Sequence, residues 1–451
     1  MSSSAEPVAA AAATASTMDL EAYIASFTGV TRIRRLAFIA SASPAHKQDA
    51  LRMAALEVKR TSNTSLYLEL IQLSGDDGGL ARDEAWIESV DRKATQRLEK
   101  LEADLNTHKT SLVKESIRLG HNDLGAFHYD RGDFNMALKC YVRTRDYCTT
   151  SKHIIEMCTN VIKASLQMGN FTHVANYITK AESTPDGSDP ALVAQLRVAA
   201  GLAHLEAKKY KLAARKFLEV PAEHHGAFSE IASAQDVALY GGLCALASFD
   251  RAELKSKLVE SSSFKAFLEL FPQVREAVAD FYNSRYAACL SYLDRLRPDL
   301  ALDMHLHDHV GQLYEDVRSK ALVQYFSPFV TVDMKLMASA FNVGVEALEK
   351  ELAALIMSKQ IPARIDSQSK VLYARHTDQR TATFAAAVKM GEEYMRDTKA
   401  LLLRINLMRA DFIVKGTAGG SDYGPSKSSR QDGRNAPGFQ AQQNAMEFEG
   451  M

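Results

Sequence analysis

None of the five cysteines (Cys140, Cys148, Cys158, Cys244 and Cys289) stands in a Cys-x-x-Cys pair. An odd, scattered set is no disulfide framework and fits reduced thiols in the nucleus or cytosol. Proline is scarce, 11 in 451 residues, and β-branched runs are few, so the chain favours helix. There is no apolar run of the roughly eighteen residues a membrane helix needs. The net charge of −1 gives no global field that would gather nucleic acid or an acidic membrane. The N-terminus lacks the basic region and apolar core of a secretory signal. Walker-type phosphate loops, dinucleotide fingerprints and nucleophile elbows are all missing. Gly416 to Gly424 is glycine-rich, but it follows no strand and opens no helix.

What is present is an internal repeat. Phe134, Phe171, Tyr210, Phe249 and Tyr286 follow one another at steps of 37, 39, 39 and 37. Three residues after each comes a small or modest side chain: Ala137, Val174, Ala213, Ala252 and Cys289. Seven after come Tyr141, Ile178, Phe217, Ser256 and Leu293, with Ser256 the exception. Two before come Gly132, Gly169, Lys208, Ala247 and Ser284. The pattern predicts stacked helix pairs of tetratricopeptide type, in which small residues allow close approach and aromatics fill the grooves. Such an array has an open end that must be covered.

The stretch Ala321 to Arg375 follows. A helical segment, Val332 to Phe341, leads into a break at Asn342 to Gly344, and a second helix runs from Val345 to Lys359. In that helix Val345, Leu348, Leu352, Leu355 and Ile356 form one apolar stripe. Two strand-like runs, Ile361 to Asp366 and Lys370 to Arg375, flank the polar turn Asp366-Ser-Gln-Ser369. Helix–turn–helix and then hairpin is a winged helix, and it could cover the end of the array. Reading DNA needs a basic second helix, but this one carries Glu346, Glu349 and Glu351 against Lys350 and Lys359, so nucleic acid is not expected. Protein docking through a sheet edge is the other use. It makes Ile365, Val371, Leu372 and Tyr373 candidate partner-binding residues.

Beyond Arg375, Phe384, Val388, Gly391, Met395, Thr398, Leu402 and Ile405 recur at steps of four and three. This is a heptad seam: it either packs back onto its own chain or enters a bundle with other chains, and for the second use Met395, Leu402 and Ile405 are its candidate contacts. The expected organisation is a disordered tail at 1–17, an N-terminal helical region at 18–111, helical repeats at 112–300, and the winged-helix module at 301–378. A C-terminal bundle helix at 379–414 and a second disordered tail at 415–451 complete it. Within 18–111, a charged helix from Asp83 to about Asn106 alternates in sign and reads as a solvated face.

The one metal-like cluster is His305-Leu-His307-Asp308-His309. A His-x-His metalloprotease wants a Ser after seven intervening residues beyond the pair, and an Asp three residues after that Ser. One register offers Glu315 and Arg318, the other Val317 and Lys320. Neither supplies the chemistry, so no metal, cofactor or catalytic residue is assigned.

Helical repeats followed by a winged helix resemble the PCI family, named for the proteasome lid, the signalosome and the translation initiation factor. The run Arg118 to Phe134, Ala137-Leu-Lys-Cys-Tyr141 and the hairpin Ala363 to Arg375 are most similar to its signalosome members. The resemblance implies a mostly α protein: a tetratricopeptide-like array, a PCI winged helix and a long C-terminal helix. It also implies a non-catalytic scaffold in the complex that removes the ubiquitin-like modifier from cullin-RING ubiquitin ligases. Its partners would be other PCI subunits and a metalloprotease subunit, in nucleus and cytoplasm, with no membrane. The paralogous proteasome lid subunit and a nucleic-acid-binding winged-helix protein are the alternatives.

Overall fold

The computed structural model describes residues 19–75, 82–184, 189–224, 226–375, 379–410 and 412. Both expected tails, Ile413 and Val414 lie outside the described residues. Two units separate at Arg375 and His376.

The first unit opens with α1 (Leu20–Ala25), α2 (Gly29–Ala42), α3 (Lys47–Lys59), α4 (Thr64–Ser74) and the long α5 (Glu84–Ser111). Leu36, Ile39, Leu51, Val58 and Leu70 make a small core of their own. Helix α5 buries only Ala94 and Leu105, as its alternating charges require of a solvated helix.

The array follows as helix pairs: α6 (Lys114–Asp130) with α7 (Phe134–Arg143), α8 (Ser151–Gln167) with α9 (Phe171–Glu182), and α10 (Pro190–Glu206) with α11 (Tyr210–Leu218). The fourth pair is α12 (Ala234–Ser248) with the short α13 (Arg251–Leu254). An extra helix, α14 (Ser262–Leu270), then precedes the fifth pair, α15 (Pro272–Tyr282) and α16 (Tyr286–Leu300). Phe134, Phe171, Tyr210 and Tyr286 are each the first residue of a second helix. Gly132, Gly169, Lys208 and Ser284, two before them, all hold positive φ, so one left-handed turn recurs in four units. Ala137, Val174, Ala213 and Cys289 are fully buried, and Tyr141, Ile178, Phe217 and Leu293 nearly so. The close approach is tight. A Cβ on Gly125 or Gly201 would stand 2.5 Å from the ring of Tyr141 or Phe217, respectively.

The fourth unit corrects the alignment. There Ala247 is still helical and Phe249 caps the end of α12 in extended conformation. The second helix starts at Arg251, so the buried positions three and seven along are Leu254 and Leu258, not Ala252 and Ser256. The unit runs two residues late, which is why Ser256 broke the pattern.

The winged helix closes the array. Helix α17 (Val310–Phe326) packs on α12 and α16. Then come β1 (Thr331–Asp333), α18 (Met334–Phe341), α19 (Val345–Met357), β2 (Ala363–Asp366) and β3 (Val371–Ala374). Phe341 stacks on Tyr286 with centroids 5.4 Å apart and planes at 6°. One apolar core therefore runs from Ala137 to Leu372. Asn342 takes the left-handed conformation at φ 52°, as a helix-ending Asn can. Gly344 holds φ −67°, so its freedom is not used.

Val332, read as helical from sequence, lies instead in the short strand β1, which gives the sheet a third member in the order β1-β3-β2. The second unit contains α20 (Gln379–Arg409).

Candidate partner-binding surfaces

The sheet has two faces set by its register. Val332, Leu372 and Ile365 lie opposite one another across the three strands, and alternation puts their side chains on one face. Leu372 is fully buried there, and Ile365 half-buried. The other face carries Val371 and Tyr373, with Arg364 opposite Tyr373. Tyr373 is 42% exposed and Val371 half-buried.

The expectation that the β3 hairpin strand offers a docking edge is corrected. β3 is the central strand: the N–H of Ala374 donates to the Val330 carbonyl at 2.8 Å on one side, and that of Arg375 to Pro362 at 2.8 Å on the other. Alternating bonds therefore commit Leu372 to β1, and Leu372 is core rather than interface. The free edges belong to β1 and β2. On β2, Pro362 and Arg364 face β3, so Ile365 turns its N–H and C=O outward. Sequence missed the edge because β1 is three residues long and merges with the helix behind it.

Beside β2 lies an open groove. Ile356 and 83%-exposed Met357 from the end of α19, with Ile365 and Tyr373, give it an apolar lining. Arg364 and Arg375 flank it, exposed, and neither has a carboxylate in ion-pair range among the described residues. Helix α19 spends much of its acid inside the chain: Glu349 meets Lys370 at 2.7 Å and Glu351 meets Arg318 at 2.8 Å. The Lys370 hydrogen bond holds the Glu349 carboxyl below its usual range.

Along α20, Met395, Leu402 and Ile405 are exposed, as are Phe384 and Val388. The apolar surface is wider than one seam. Met390, Tyr394, Leu401 and Met408 form a second exposed stripe beside the first. A two-stranded coiled coil needs a single stripe, whereas apolar residues on several faces suit a helix surrounded by others.

The histidine cluster is structural. His305 is half-buried with its ring edge-on to Tyr240, and desolvation together with Arg35 pushes its imidazole down to about 4. His307 Nδ1 lies 2.9 Å from the Ala301 carbonyl, with its ring edge-on to Phe38. His309 Nδ1 is 3.3 Å from the Tyr210 hydroxyl. Each ring thus has a different neighbour. The thiols are equally quiet: burial raises Cys140, Cys148 and Cys158, and pushes Cys289 up to about 12.

Sequence reading passed over Arg35, the most buried charge among the described residues. Its guanidinium meets Asp236 of α12 at 2.8 Å and Asp303, in the loop before α17, at 2.8 Å. Tyr240 donates to Asp303 at 2.8 Å, and the Phe27 ring lies 4.1 Å from the guanidinium. A charge at position 35, four residues before Ile39 on the apolar face of α2, was the available signal.

The PCI domain family matches residues 287–376, and the family described as COP9 signalosome complex subunit 1, C-terminal helix, matches 379–404. The 26S proteasome subunit RPN7 family matches 83–257. COP9 signalosome complex subunit 1 of Arabidopsis thaliana is 54% identical over 88% of this chain and 91% of its own length. Subunit 1b of Drosophila melanogaster is 42% identical over 90% and 89%. The 26S proteasome non-ATPase regulatory subunit 6 of Oryza sativa covers 78% of this chain and 89% of its own length at only 24% identity. The proteasome paralogue is therefore the more distant relative, and the chain belongs to the family of COP9 signalosome complex subunit 1.

Proposed function

We propose that the chain is a non-catalytic scaffold of a complex that removes the ubiquitin-like modifier from cullin-RING ubiquitin ligases. Its partners are other PCI subunits and a metalloprotease subunit, and it works in nucleus and cytoplasm. One observation carries the reading: the chain presents two joining devices, an open β2 edge at Ile365 and an α20 apolar on several faces. Both are made for other chains. Four buried thiols, a half-buried Cys148 and separately engaged histidines support the non-catalytic reading.

Reconstitution tests it. The purified chain should leave a modified cullin intact, and the complex containing it should release the modifier. Cleavage by the chain alone, abolished by a chelator, would overturn the proposal. Imaging of a tagged chain in both compartments tests the localisation; confinement to one would correct it. DNA binding should be no tighter than the non-specific range of about 10⁻⁴ to 10⁻⁶ M; a sequence-specific shift at nanomolar protein would favour a nucleic-acid reader instead.

A further inference from the structure

The array breaks its period at one place, and an apolar groove opens there. After the four-residue α13 the chain makes a π-helical turn, Lys255–Val259. Such a turn carries one more residue than an α turn and widens the helix locally, a feature frequent at functional sites. Helix α14 is then inserted before α15 restores the pairing. The π turn, α14 and α15 enclose a groove of about 480 Å³, within the range of pockets that seat small ligands or anchoring side chains.

Leu258, Leu268 and Val278 form the floor, and half-buried Tyr282 is at one wall. The rim is charged with a bias. Lys265 and Arg275 are exposed, and neither has a carboxylate in ion-pair range among the described residues. One acid, Glu269, lines the groove against these two cations. The neighbouring cations point to other tasks: Lys255 lies 3.7 Å from Glu260, Lys257 sits over the Phe249 ring, and Arg251 over that of Tyr282. Cations that face an apolar floor without partners complement an occupant that is apolar in the middle and acidic at its ends.

We propose that this groove is a docking site for a short partner segment carrying a bulky apolar side chain flanked by carboxylates. The apolar residue seats on Leu258, Leu268 and Val278, and its flanking carboxylates meet Lys265 and Arg275. The site is separate from the β2 edge and does not depend on it.

The test uses the full-length chain and three labelled synthetic peptides in fluorescence polarisation. One places Phe-Leu between aspartates, the second replaces the aspartates with lysines, and the third replaces Phe-Leu with Ala-Ala. The first peptide should bind, and binding should weaken with added salt. The lysine and alanine peptides should bind much more weakly. Because both cations are exposed, the double variant Lys265→Ala/Arg275→Ala keeps the fold and should weaken binding by about tenfold. Val278→Asp, with helicity checked in parallel, should remove it, and Ile365→Pro should leave it intact. Equal binding of the lysine peptide, no binding of the first peptide at millimolar concentration, or no effect of the double variant would each overturn the proposal. So would concentration-dependent self-association that Lys265→Ala/Arg275→Ala abolishes, since the occupant would then be a second copy.

Discussion

Arg35 and the pair Arg364 and Arg375 are the same side chain put to opposite uses. Arg35 is 1% exposed and holds two carboxylates from distant parts of the chain. Arg364 and Arg375 stand exposed beside an apolar groove without an ion-pair partner among the described residues. The first is a closed joint, which fixes the N-terminal helices to α12 and to the loop before α17. The second is an open joint. A closed joint costs desolvation and gains only through geometry and hydrogen bonds. An open joint keeps its cations hydrated until a partner arrives. Variants at the closed joint should therefore change folding, and variants at the open joint should change assembly.

Removing Arg35 should have the largest effect. Arg35→Met leaves Asp236 and Asp303 buried without their cation, and breaking such a pair costs about 3–5 kcal/mol. Denaturant unfolding should show that loss. The triple variant Arg35→Met/Asp236→Asn/Asp303→Asn should regain part of it, because no charge is then stranded. If the triple variant is as unstable as the single one, packing around Arg35 and not its charge holds the joint.

Next come two prolines that separate a core strand from an edge. Leu372→Pro deletes a buried side chain and a ladder donor in the central strand, for about 2–5 kcal/mol. Ile365→Pro removes an outward N–H and half a buried side chain, so stability should fall by only about 1 kcal/mol. Pull-down of partner subunits should nevertheless weaken. Unchanged pull-down with Ile365→Pro would place the docking edge elsewhere, at β1 first.

Within the array, Gly201→Ala should cost about 1–3 kcal/mol, the usual cost of overpacking, because its Cβ falls 2.5 Å from the Phe217 ring. Gly169 has no atom near its Cβ site, but it holds φ 72°, so Gly169→Ala should lose about 1 kcal/mol through backbone strain alone. Thermal melts of the two variants should rank in that order.

The closed joint also has a pH signature. Burial pushes Asp236 up to about 6, so the folded chain binds that proton where the unfolded chain does not. Its contribution therefore rises as pH falls from about 6 towards 4. Burial and Arg35 push His305 down to about 4, so the unfolded chain gains that proton first. Its contribution falls over nearly the same window, and the two oppose each other. Asp303 is desolvated, but Arg35 and His305 hold it below its usual range, so its contribution is lost only at more acid pH. His305→Asn should remove one side of the balance. Urea unfolding should then show stability rising on mild acidification relative to the parent chain. Parallel pH profiles for the two proteins would refute the opposition.

Much of this was legible in the sequence. The repeat could be read because one turn recurs, and its left-handed residue fixes the spacing to Phe134, Phe171, Tyr210 and Tyr286. The same rule explains the failure in the fourth unit, where the turn is built differently and Phe249 caps α12. The winged helix was legible from Asn342 and the stripe of α19. Its strand order was not, since three residues at Thr331–Asp333 carry no period of their own. Ile365 and Tyr373 were named and do reach the edge or the exposed face, whereas Leu372 fell to the core because the hairpin has a third partner. Arg35 escaped because its partners lie 201 and 268 positions away, and no local pattern reports such a distance.

The smallest effect on the free chain is expected at α20. Leu402 is 55% exposed and Ile405 38%, so Leu402→Glu/Ile405→Glu places two carboxylates where water already reaches. Surface substitutions of this kind stay within about 0.5 kcal/mol, and helix propensity barely changes between leucine and glutamate. The free protein should melt near its normal temperature. In the assembled complex the same residues would lie among other helices, and two unpaired carboxylates buried there would cost several kcal/mol. Gel filtration with partner subunits should therefore show the variant shifted out of the complex, or held by its winged helix alone, while its own melt is unchanged. A large loss of melting temperature in the free chain would mean that Leu402 and Ile405 serve this chain's own stability. The comparison between closed and open joints would then have to be redrawn with α20 on the closed side.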